Sequence, residues 1–115
     1  MKKVYHLEKC STCQRILKDL NWNGARQEIR TQKITEDQLE HMAKLAGSYE
    51  ALFSRRAIKY KSMGLKDQSL SEENYKALIL EEDTFLKRPV FIIEKDIFIG
   101  NSVKNIDALK TKIGE

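Results

Sequence analysis

Two cysteines three residues apart carry the strongest chemical signal in the chain. Cys10-Ser11-Thr12-Cys13 lies where a short apolar run gives way to a helical period. The thiolate is the reactive form of cysteine, and a helix N-terminus offers it free backbone N–H groups and the positive end of a dipole. The i, i+3 spacing brings the second sulfur one turn on, within reach of a disulfide. A C-x-x-C motif opening a βαβ unit reads as a redox pair. Cys10 is then the exposed nucleophile. Cys13 shares a helix face with Ile16 and Leu17 and is expected to be the more buried resolving thiol.

Two other readings of the same residues stand beside this one. Cys10, Cys13, His6 and His41 would make four zinc ligands, but His41 falls at no recognisable ligand spacing and no second C-x-x-C exists. Two inert buried thiols are the other alternative. Glu8 works against a thiolate at Cys10, with Lys9 partly offsetting it. His6, four residues before Cys10, could favour the thiolate when protonated or be an ordinary strand histidine.

The elements that must position this pair follow from the hydrophobic pattern. Val4-Tyr5-His6-Leu7 reads as a strand. Cys13, Ile16, Leu17 and Leu20 recur at i, i+3, i+4, i+7, one face of a helix. Ser11 or Thr12 is placed to cap it and Gly24 to stop it. Gln27–Lys33 fits an edge strand. Thr35 and Gln38 form a capping-box pattern before a helix with Leu39, Met42, Ala43 and Ala46 inward, ending at Gly47. Tyr49, Leu52 and Phe53 suggest a short helical turn. Ser71 caps a helix whose buried face is Tyr75, Leu78 and Ile79. Val90–Ile93 and Ile97–Ile99 then read as a hairpin turned by Glu94-Lys95-Asp96. A last helix, capped by Asn101 or Ser102, turns Val103, Ile106, Leu109 and Ile113 inward. This order predicts an α/β fold of one domain, a βαβ unit followed by helices and closed by a hairpin and helix.

Composition sets the outer limits. The chain has 115 residues, 21 Lys+Arg against 17 Asp+Glu, a net charge of +4, 41% hydrophobic and 33% charged residues. That profile belongs to a globular protein with a real core. No run is apolar enough to span a bilayer, and Met1-Lys2-Lys3-Val4-Tyr5-His6 does not read as a signal peptide. The expected location is the cytoplasm. Basic residues concentrate only between Ser54 and Lys66, at Arg55, Arg56, Lys59, Lys61 and Lys66. Nothing resembles a DNA-reading module, so no direct nucleic-acid partner is expected.

Across nearly its whole length the chain resembles the ArsC/Spx family of thioredoxin-fold proteins. The resemblance rests on His6-x-x-x-Cys10-x-Thr12, on Ala51-Leu52-Phe53-Ser54-Arg55-Arg56 with Tyr60 and Gly64-Leu65, and most specifically on Phe85-Leu86-Lys87-Arg88-Pro89-Val90. It implies a thioredoxin-like fold with a helical segment inserted at about 35–82. It also implies that Pro89 is the cis-proline beside the active-site cysteine.

Family members include arsenate reductases coupled to glutaredoxin and the redox-sensing transcriptional regulator Spx. In the reductases a cysteine thiolate attacks arsenic and three arginines hold the oxyanion, whose geometry guanidinium forks match. Carried over, Cys10 matches the nucleophile and Arg88 the arginine before the proline. The first arginine's position falls on Ser54, or on Arg56 in the Spx-like branch, with Arg55 a weaker candidate. The third falls near Gly100 or Asn101, neither of which carries charge. Cys13 and Gln14 stand where the reductases have Ser and Arg, a departure toward the C-x-x-C branch. The implied activity is thiol–disulfide chemistry at Cys10 and Cys13, with Arg88, Arg56, Thr12 and Pro89 at the substrate. No bound cofactor or metal is implied. Glutathione or a glutaredoxin or thioredoxin system would be the external reductant, and arsenate or a glutathione-type mixed disulfide the substrate. The alternative is a redox switch that binds the α-subunit of RNA polymerase.

Overall fold

The computed structural model describes residues 2–114. They fall into two compact units, one built from the chain up to Lys33 and from Arg88 onward, the other from Ile34–Lys87.

The first unit holds β1 (Lys2–His6), α1 (Ser11–Asp19) and β2 (Ala25–Glu28). After the inserted segment it continues with two further strands and a helix. We number these β3 (Val90–Ile93), β4 (Asp96–Ile99) and α5 (Val103–Ile113). The sheet order is β2-β1-β3-β4. β1 runs parallel to β2 through the α1 crossover, and β3 is antiparallel to both β1 and β4. The chain thus has a thioredoxin-like α/β fold with a helical segment inserted between its βαβ unit and its C-terminal hairpin and helix.

Strand register explains the core of this unit. Val4 faces Phe91, and Phe91 faces Phe98 on the next strand. Ile16 and Leu17 of α1, Trp22 and Leu109 of α5 pack into the same cluster. Trp22 meets Phe91 edge to face, with ring centroids 4.9 Å apart. Burying a side chain such as Phe91 contributes about 1.5–3 kcal/mol relative to leaving it exposed. This cluster fixes α1 on the sheet, and with it the cysteine pair at the start of that helix.

The second unit contains α2 (Glu36–Ala46), α3 (Ile58–Ser62) and α4 (Glu72–Glu81). α2 opens on the expected capping box: Thr35 accepts from the Gln38 N–H while Gln38 accepts from the Thr35 N–H. α4 opens on a second one, from Ser71 and Asn74. Lys76 of α4 bridges Glu36 and Glu40 of α2 at 2.8 Å each. Phe53 stacks on Phe85 at 5.0 Å and tilts against Tyr75 at 4.9 Å, forming an aromatic centre. An antiparallel bridge joins Phe53 and Leu86.

Several local expectations need correction. The cap of α1 is neither Ser11 nor Thr12 but Cys10, whose sulfur takes the capping role. α1 ends at Asp19 with Leu20 as its C-cap, before Gly24. Gly24 is needed instead for close approach, because a Cβ there would come within 2.7 Å of the Lys2 carbonyl and the Trp22 ring. The edge strand is Ala25–Glu28, not Gln27–Lys33, since a turn built on the Glu28 carboxylate ends it. Val103 is 78% exposed rather than inward, because it stands at the first position of α5. Leu78 is half-buried, leaving Tyr75 and Ile79 as the buried face of α4.

Candidate active site

β1 ends at His6, and a four-residue loop carries the chain into α1. The Cys10 N–H bonds to the Leu7 carbonyl at 3.1 Å, closing the loop as a turn. Cys10 adopts the extended backbone of an N-cap residue, and the Cys13 N–H donates to its sulfur at 3.4 Å. A sulfur thus accepts one of the orphan donors that every helix start leaves. Cys10 is half-buried, Cys13 is buried, and both are free thiols.

The two sulfurs differ sharply in acidity. At Cys10 burial pushes the pKa up, but the backbone and side-chain hydrogen bonds from Cys13 and the Arg88 guanidinium outweigh it, and the net shift is downward. At Cys13 burial dominates, and the hydrogen bond to Cys10 adds to it, so the thiol is pushed up to about 12. One sulfur is therefore the more acidic and the other is held as a thiol, the asymmetry that a nucleophile and a resolving thiol require.

Arg88 and Pro89 stand at the start of β3, next to β1 in the sheet. The peptide bond between them is cis. Pro89 is buried and its carbonyl accepts the Gly100 N–H at 2.9 Å. Arg88 acts on Cys10 through both its charge and a hydrogen bond. Thr12 lies half-buried in the first turn of α1. Cys10, Cys13 and Arg88 are thus brought together within one unit.

Arg56 belongs to the second unit, where its side chain is exposed and its N–H bonds to Ser54 Oγ at 3.3 Å. Arg55 is committed elsewhere, with Glu50 at 2.8 Å and the Tyr75 hydroxyl at 3.1 Å. At the third arginine's position, Gly100 takes a positive φ of 87° and its carbonyl accepts from Asn105. No charge stands there.

His6 is 7% exposed and its Nδ1 has no hydrogen-bond partner among the described residues. Burial holds its pKa below the usual histidine range despite the opposing pull of Glu28. His41 is exposed on α2. Among the described residues no group of three or more His, Cys, Asp or Glu is placed to hold a metal ion. No helix of the described residues is long and apolar enough to cross a membrane.

A family model described as the ArsC family matches residues 5–109. The chain belongs to the ArsC family. Solved structures agree with this assignment of fold. The ArsC family chain is similar to an arsenate reductase from Vibrio cholerae, with a TM-score of 0.76 at 18% identity over 95% of each chain. A possible arsenate reductase from Streptococcus mutans UA159 superposes with a TM-score of 0.70 at 27% identity, over 93% of this chain and 98% of that one. An arsenate reductase-related protein from Brucella melitensis gives a TM-score of 0.72 at 16% identity, over 93% and 92%. Comparison with curated proteins returned no significant match.

Two residues of the site escaped the sequence reading. The hydrophobic pattern places Glu28 inside an edge strand, and Gln14 stands out in the sequence only as a departure from the family pattern. Both bond to the backbone of Glu8 in the loop before Cys10.

Proposed function

We propose that this ArsC family protein is a thiol–disulfide oxidoreductase that acts on an anionic oxidised substrate. The observation that carries the reading is the placement of the pair at the start of α1, with the half-buried Cys10 sulfur accepting the N–H of the buried Cys13 at 3.4 Å; the opposed shifts in acidity agree with it. With a mixed disulfide as substrate, the Cys10 thiolate attacks one sulfur, the S–S bond breaks, and the other sulfur leaves as a thiolate. Cys13 then attacks Cys10, giving up its proton to the second leaving thiolate, and a Cys10–Cys13 disulfide forms. The substrate has gained two electrons. With arsenate, Cys10 attacks arsenic with loss of an oxygen as water, and Cys13 attacks Cys10 as arsenic leaves as arsenite. Glutathione with glutaredoxin, or thioredoxin, would return the protein to the dithiol. Arg88 would neutralise the bound anion at Cys10, with Thr12 and Pro89 lining its seat.

The neutral Gly100 and Asn101 favour a second reading, in which the pair is a redox switch and the reduced or oxidised protein docks the α-subunit of RNA polymerase. Arsenate-dependent NADPH consumption separates the two, measured with glutaredoxin plus glutathione and again with thioredoxin. Turnover in the wild type that is lost in Cys10→Ser supports the oxidoreductase. Absence of turnover in both couplings, with a reversible Cys10–Cys13 disulfide retained, supports the switch.

A further inference from the structure

The backbone of Glu8, two residues before Cys10, is gripped from both sides. On one side the Glu8 N–H donates to Glu28 Oε2 at 2.6 Å, reaching across to the end of β2. On the other, the Glu8 carbonyl accepts from Gln14 Nε2 of α1 at 3.0 Å. The other oxygen of Glu28, Oε1, takes the N–H groups of Arg30 at 2.5 Å and Thr31 at 3.0 Å. One carboxylate therefore ties the turn that ends β2 to the loop that presents the nucleophile. The β ladder supports the same junction, because His6 and Glu28 are register partners and the Ile29 N–H bonds to the His6 carbonyl at 2.9 Å.

Chemistry explains why a carboxylate suits this place. Three backbone N–H groups converge on it, and an ionised acid accepts all three without offering a donor of its own. A glutamine would turn an N–H group toward one of those donors. An aspartate could still serve its own turn but would fall one methylene short of Glu8. The alignment at stake is short and directional. The Cys13 N–H must point at the Cys10 sulfur, and Cys10 is held by its turn to Leu7, by the helix that follows and by the neighbouring Arg88.

We propose that Glu28 is a positioning residue for Cys10, acting with Gln14 through the Glu8 backbone to hold the nucleophile's sulfur in line with the Cys13 N–H. The proposal rests on the reading of Cys10 as the nucleophile, yet it concerns the readiness of the sulfur rather than the substrate. Its direction sets it apart from a simple charge effect. Glu28 is a negative group near the site, with His6 its register partner and Glu8 on the loop, so deleting its charge alone would ease ionisation of Cys10 and lower its pH midpoint. Loss of alignment does the opposite.

The test is the rate of iodoacetamide alkylation at Cys10 as a function of pH, read by mass spectrometry below each protein's melting transition. Glu28→Gln and Glu28→Asp are each expected to raise the pH midpoint and to slow alkylation at neutral pH by roughly threefold, the effect of weakening one hydrogen bond to a thiolate. An unchanged or lowered midpoint in either variant overturns the proposal. Gln14→Ala, which opens the other side of the grip without touching the β2 turn, is expected to shift the midpoint the same way and keeps the test decisive if a Glu28 variant fails to fold. Alkylation needs no substrate or reductant. A shifted midpoint with no turnover in the NADPH-coupled reaction would therefore leave the positioning role standing while removing the oxidoreductase reading.

Discussion

The Cys13 N–H points at the sulfur of Cys10 from 3.4 Å, so the cysteine that opens α1 is also the cap of that helix. Capping and activation are the same interaction here. The donor that would otherwise be an orphan of the helix start stabilises negative charge on the sulfur that accepts it.

The first prediction concerns Arg88, a cation that acts directly on this sulfur. Arg88→Ala should raise the pH at which Cys10 becomes alkylated, because the thiolate loses a counter-charge and a hydrogen bond. Arg88→Lys should recover part of the effect, as it keeps charge but loses the fork. Cys13 should resist alkylation well above the pH at which Cys10 reacts, because burial holds its proton up to about pH 12. An alkylation profile that ignores Arg88→Ala would show that the Cys13 hydrogen bonds alone depress Cys10.

Acid should weaken the fold through His6. Its buried ring has a folded pKa below the unfolded value of 6.5. Below that value the unfolded chain binds the proton more readily, so the stability tied to neutral His6 is full above pH 6.5 and drains away as the pH falls toward the folded pKa. Thermal melts between about pH 8 and about pH 5 should record this loss, and His6→Asn, which does not titrate, should flatten it. A decline just as steep in His6→Asn would assign the acid sensitivity to other groups.

Much of this arrangement was legible from residue types. The C-x-x-C placed the pair, and Thr35-Glu36-Asp37-Gln38 predicted a helix start that the hydrogen bonds reproduce. Pro89 before an apolar run marked a strand entry, and the strand begins at Val90. What failed depended on contacts distant in sequence. A sulfur is not among the usual capping acceptors, so Ser11 and Thr12 drew the expectation that belonged to Cys10. Ile29 is buried like a strand residue, which extended the expected second strand past its end. Only the convergence of three N–H groups on Glu28, one of them twenty residues back in the chain, explains why pairing stops there. That signal has no local period to betray it.

The second unit should depend on Phe53, which touches Tyr60, Tyr75 and Phe85 and is fully buried. Phe53→Ala removes the ring on which these three converge and should cost about 3–5 kcal/mol of stability. Urea unfolding followed by circular dichroism measures it. A loss below about 1 kcal/mol would mean that the aromatic centre collapses freely around the cavity.

The central claim is that Cys10 attacks and Cys13 resolves. Mass spectrometry of the reduced protein after brief exposure to glutathione disulfide tests it directly. The wild type should lose two hydrogens, with Cys10 and Cys13 joined in one peptide pair. Cys13→Ser should instead retain one glutathione on Cys10, and Cys10→Ser should carry none. A stable glutathione adduct on the wild type, or an adduct on Cys13 in the Cys10→Ser variant, would contradict the account.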